Sequence, residues 1–100
     1  RITAPDLTAT LPSGATIAKG TRFRFVLATV GLSTTSIGFH VSPQADDKIL
    51  AENMTGDVAI DGKDIISSGL TDKEGDSVEI EWDGSDFLIV GFLGIWTREA

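Results

Sequence analysis

His40 is the single histidine in this chain of 100 residues, and no cysteine accompanies it. Catalysis of the Ser-His-Asp kind therefore has one possible base, and no Gly-x-Ser-x-Gly elbow is present to carry a nucleophile. His40 lies in the alternating stretch Ser36-Ile37-Gly38-Phe39-His40-Val41-Ser42, on the face opposite Ile37, Phe39 and Val41, which gives it a structural or surface role. One histidine without thiolates also excludes zinc, which rarely accepts carboxylates alone.

Carboxylates are more plentiful. Asp46, Asp47, Asp57, Asp61 and Asp64 crowd a loop-rich stretch, the oxygen-rich setting that calcium prefers. The EF-hand spacing is missing, so they read as turn formers and solvated charge, and neither a metal nor a cofactor is expected. Glu79, Glu81, Asp83 and Asp86 are close enough in sequence to suggest a glycosidase pair. Glu79 and Glu81, however, alternate with apolar residues and so face water, where neither carboxyl would be pushed up to serve as an acid. Asn53-Met54-Thr55 matches the three-residue glycosylation pattern, which occurs by chance and is assigned no role. For sugar stacking the chain offers two Trp and no Tyr. Trp82 falls in register with Val78 and Ile80 and is expected in the core. Trp96 stands beside the strand end near Arg98, open to exposure, packing or a subunit contact. No catalytic residue is assigned.

The elements that would position these groups are strands. Turn signals recur at Pro12-Ser13-Gly14, Lys19-Gly20, Gly31, Gly38, Pro43, Gly56, Asp61-Gly62, Gly69, Gly75-Asp76 and Asp83-Gly84, a spacing typical of all-β domains. Leu7 to Leu11 alternates. Within Thr21 to Val30, Phe23, Phe25 and Leu27 oppose Arg22, Arg24 and Val26. Shorter strands are expected at Lys48 to Leu50 and Val58 to Ile60 in the irregular, acidic middle. No long window keeps helical spacing, so little or no helix is expected. Asp76-Ser77-Val78-Glu79-Ile80-Glu81-Trp82, the Asp83-Gly84 turn and the apolar run Phe87 to Trp96 predict a terminal β-hairpin. The returning strand is apolar on both faces, which points to a partner subunit.

One hundred residues suit one modest core without a deep catalytic cleft. With 8 Lys and Arg against 15 Asp and Glu, the net charge is −7, and nucleic acid is not an expected partner. The longest apolar run is too short for a membrane helix and glycines break it, so a soluble domain is expected. The chain opens on Arg1 without a Met, as expected where upstream residues have been cleaved or trimmed.

Ala9-Thr10-Leu11-Pro12-Ser13-Gly14-Ala15-Thr16 followed by Gly20-Thr21-Arg22-Phe23-Arg24-Phe25-Val26 resembles the opening of small β domains in tailed-bacteriophage virion proteins. Capsid decoration (cement) proteins, head fibres and tail-fibre or tailspike modules belong to this group. Phe39-His40-Val41-Ser42-Pro43, Asp46-Asp47-Lys48-Ile49, Gly69-Leu70, Gly75 to Ile80, Asp83 to Gly91 and the Gly94-Ile95-Trp96 tail fit the same pattern. The resemblance implies a non-enzymatic virion structural protein, commonly a homotrimer, whose partners are its own subunits and the major capsid protein. Fibre modules sit on repetitive shafts, and this chain has no repeat, which favours the stand-alone decoration protein.

The expected architecture is thus all-β: a single antiparallel β-sandwich or jelly-roll-like domain of about seven or eight strands over residues 7–100, behind an N-terminal arm at 1–6. Phe92, Leu93, Ile95 and Trp96 are the expected subunit contacts. Arg1 and Ile2 are the expected capsid contacts, with the arm lying on the shell or the next subunit. The alternative is a glycan-recognising fibre or carbohydrate-binding module using Trp96, Asp83 and Asp86.

Overall fold

The computed structural model describes residues 8–27, 39–67 and 75–99. Eight strands appear among them: β1 (Thr8–Thr10), β2 (Arg22–Val26), β3 (Phe39–Ser42), β4 (Ile49–Leu50), β5 (Ile65–Ser67), β6 (Ser77–Trp82), β7 (Phe87–Leu93) and β8 (Thr97–Arg98). One sheet runs β1-β3-β5-β8 and the other β2-β6-β7-β4. A 3-10 turn at Gly14–Thr16 and one short helix, α1 (Glu52–Thr55), complete the elements. The all-β sandwich expected from the sequence is therefore present.

Alternation explains the faces. Along β6, Val78, Ile80 and Trp82 are buried while Glu79 and Glu81 are half-exposed, and β2 sets Phe23 opposite Ile80 and Phe25 opposite Val78. Opposed residues of an antiparallel pair share a face. Phe23 and Phe25 thus pack inward, and Arg22 and Arg24 stand outside. The other sheet supplies Phe39, Val41 and Ile65 to the same core. Aromatic rings bridge the layers: Phe25 meets Phe39 with centroids 5.6 Å apart, and Phe39 meets Trp96 edge-on at 6.5 Å. Within the second sheet Trp82 packs on Phe87 at 4.8 Å.

Several expectations need correction. The sheets are mixed, because β1 pairs with β3 in parallel and β4 with β7 in parallel. The β6–β7 hairpin forms but does not end the fold. After Gly94 (φ +101°) the chain crosses to the other sheet, where β8 pairs with β5. Val58 to Ile60 is not a strand. Leu7, Val30 and the proposed arm, including Arg1 and Ile2, lie outside the described residues.

The hairpin carries a β-bulge. Ile80 opposes Ile89 and Glu79 opposes Gly91, so Val90 is an extra residue on β7. The insertion reverses the phase of the strand: Phe92 takes the same side as Ile89, opposite Val78, but beyond the packed core where it stays exposed, while Gly91 and Leu93 turn to the other side opposite Glu79 and Ser77.

Gly14 is buried, and a Cβ there would overlap the Trp82 ring. Gly14→Ala is therefore expected to destabilise the domain by about 2 kcal/mol, as overpacking a filled core does. Urea unfolding followed by Trp fluorescence should show a midpoint lower by about 1 M. An unchanged midpoint would mean the Trp82 ring is free to move aside.

Candidate functional site

The sequence-selected polar residues are scattered by the fold and engaged in holding it. His40 Nδ1 and Asp64 Oδ2 are 3.0 Å apart on the outer side of the first sheet. The Asp64 backbone N–H donates to Glu99 Oε1 at 2.9 Å, and the Glu99 N–H returns a bond to the Asp64 carbonyl at 3.0 Å. Asp64 and Glu99 thus clasp the end of β8 to the start of β5, and His40 ties Asp64 to β3. Among the described residues the hydrogen-bond partner of the His40 ring is Asp64.

The acidic loop residues likewise diverge. Asp47 Oδ2 accepts from the Gly14 backbone N–H at 2.9 Å, securing the 3-10 turn beneath which Trp82 lies. Asp46, Asp57 and Asp61 are exposed. Among the described residues no group of three or more His, Asp or Glu side chains could hold a metal ion, nor is any helix long and apolar enough to cross a membrane.

Glu81 Oε1 accepts from Arg22 Nε at 2.6 Å, and Glu79 Oε1 lies 3.7 Å from another nitrogen of the same guanidinium. These two carboxylates share a cation on the outer face and frame no cleft. Asp83 makes the hairpin turn, its Oδ1 accepting from the N–H groups of Ser85 and Asp86, each at 2.7 Å. Those backbone donors, Asp86 first, hold the Asp83 carboxyl below the usual aspartate range. In the glycan alternative this carboxylate would work beside an aromatic neighbour; here it is occupied by the turn's own N–H groups.

That neighbour, Trp96, is 2% exposed. Its Nε1–H donates to the Leu93 carbonyl at 3.0 Å, closing the corner between β7 and β8. Trp96 therefore belongs to the core and is removed from the expected contact surface. Phe92, Leu93 and Ile95 remain exposed. Trp82 is buried as expected, so both tryptophans of the chain are interior.

What the fold does bring together is apolar. A groove of about 230 Å³ runs between β7 and the β4–α1 corner, lined by Leu50, Met54, Ile89, Val90 and Phe92. It shares Leu50 and Asn53 with a second hollow of about 350 Å³ that reaches Val58. Exposed apolar residues thus continue from Val58 past Leu50 and Val90 to Phe92, Leu93 and Ile95. The contributions of Leu50 and Val58 were not legible in the sequence, because a two-residue strand and an irregular loop carry no periodicity to read. No protein-family model matches the chain, and no curated protein or solved structure is significantly similar to it.

Asp83→Ala should lower the urea midpoint at neutral pH. The depressed Asp83 pKa contributes stability that is complete above the unfolded-chain value of about 3.9 and is lost as pH falls through the lower folded value. The difference between variant and parent should therefore close in strongly acidic buffer. A pH-independent gap would assign the loss to the turn's shape alone.

Proposed function

We propose that this chain is a non-enzymatic structural protein of a tailed-bacteriophage virion, a decoration protein that binds the head surface, contacts the major capsid protein and works as an oligomer. The observation that carries this reading is the exposed apolar band at β7. Residues 87–97 include no charged side chain, in a molecule of net charge −7. A domain that covers junctions between shell subunits needs an apolar surface to bury, while its acidic remainder keeps the particle dispersed. The sequence pattern around Leu11-Pro12-Ser13-Gly14 and Gly20-Thr21 supplies the viral setting. The polar groups favour the same reading from the other side, since His40, Asp47, Asp64 and Asp83 are engaged in structural bonds.

The glycan-binding alternative fares worse. Its stacking platform was Trp96, which is interior, and the exposed aromatic ring nearby, Phe92, lies in an apolar groove without carboxylates.

Heads of the encoding phage assembled without this protein provide the test. Purified chain should co-sediment with them and raise their melting temperature by several degrees, as a ligand of the assembled state must. Saccharides should leave its Trp fluorescence unchanged. Failure to co-sediment, together with saccharide-dependent quenching, would replace the decoration reading with the glycan one.

A further inference from the structure

We infer that the outer half of β7 is a pairing edge for a second copy of the same chain, joined antiparallel about a two-fold axis. The inference takes from the reading above only that the chain self-associates; it sets a two-fold pair in place of the homotrimer that the resemblance implies, and it does not depend on the viral particle.

Among the described residues, β4 is too short to close this edge. β4 pairs only Ile49 with Phe87 and Leu50 with Leu88, after which the chain leaves into α1. Among the described residues, Ile89 to Leu93 have β6 on one side and no strand on the other. Soluble domains usually blunt such an edge with charge, proline or brevity. Here the residues are Ile89-Val90-Gly91-Phe92-Leu93, none of which does so.

The other edges exclude alternatives. β1 has three residues and β8 two, too short for a stable added ladder. β2 has five but carries Arg22 and Arg24, the kind of charge that discourages edge pairing. Among the described strands, the edge of β7 therefore matches only itself, and a contact between identical edges is isologous and two-fold.

Area and charge agree. Val90 is 42%, Phe92 43%, Leu93 64%, Ile95 59%, Leu50 36% and Val58 68% exposed. Together these amount to about 500 Å² of apolar surface per copy, the size of the largest patch on a typical monomer and one that is often functional. Two copies would cover about 1,000 Å², the threshold for a specific interface, before any main-chain hydrogen bonds are counted. Identical chains of charge −7 repel over most of their surfaces and can approach only through a neutral strip. The β7 part of this strip, residues 87–97, carries no charged side chain, while Lys48 and Glu52 flank it at the Leu50 and Val58 end. Centring the axis on Gly91, the middle of the free segment, pairs the most residues.

Light scattering on the purified chain at about 100 µM should give twice the chain mass; the mass of one chain or of three overturns the inference. Leu93→Lys places a charge on an exposed position of the edge and should abolish the two-chain species with circular dichroism unchanged. Persistence of that species would show that the contact lies elsewhere. Gly91→Cys tests the axis in a chain that has no other cysteine, since a Cβ there meets nothing within 4 Å. Oxidation should yield one covalent pair, and its absence would overturn the two-fold placement. A chain that co-sediments with heads but weighs as a monomer would leave the decoration reading standing and remove this inference. A two-chain species indifferent to heads would do the reverse.

Discussion

The burial of Trp96 decides how the rest of the apolar run is distributed. Its ring packs edge-on against Phe39 and its Nε1–H reaches back to the Leu93 carbonyl. Burying an indole contributes several kcal/mol, since about 200 Å² of ring surface leaves water at about 25 cal/mol per Å². That is a sizeable share of the roughly 5–15 kcal/mol that holds a domain of this size together. With Trp96 fixed inside, Gly94 must make the turn, and a side chain at Gly94 would collide with the Asp76 carboxyl as well as strain its left-handed backbone. Leu93 and Ile95, on either side of the turn, are left facing water. The exposed band is thus a by-product of closing the core with the last aromatic of the chain.

A division of labour follows between the two faces of the second sheet. Its exterior bears the cross-strand row Arg22–Glu81–Leu88 and the row Arg24–Glu79–Gly91. The exposed pairs of Arg22 with Glu81 and Glu79 contribute little stability individually, yet these charges keep the face wet and discourage association there. Toward the opposite margin, the outer half of β7 carries no charged side chain. A surface acidic overall and uncharged along one strand directs contact by exclusion.

Much of this was legible in the sequence, and the failures have identifiable causes. Strict alternation in β6 fixed its faces, and the Asp83-Gly84 pair located the hairpin. The alternating Phe23 and Phe25 revealed β2 in the same way. The run from Phe87 to Trp96 has no polar residue to mark its phase, so nothing in it distinguished inward Trp96 from outward Ile95. The bulge at Val90 was invisible for the same reason, because an extra apolar residue within an apolar run leaves the pattern intact. The parallel pairing of β1 with β3 and of β4 with β7 depends on contacts between distant segments that local spacing does not encode. Polar residues were placed best where a bland role was expected: Asp83 as a turn former and His40 as a structural group on the outer face.

Those parallel pairs also govern the time course of folding. Thr8 lies opposite His40, and Ile49 opposite Phe87, so each ladder must close a long loop before it gains any stabilisation. Topologies dominated by such distant contacts fold in milliseconds to seconds, whereas a hairpin such as β6–β7 forms in about 1–10 µs. A full-length chain folding from the unfolded state therefore holds a formed, uncapped hairpin well before β4 docks to shield its first residues. During that interval β7 is open along its whole length to any extended strand nearby, which makes crowded folding the stage at which mispairing competes most strongly with the native fold.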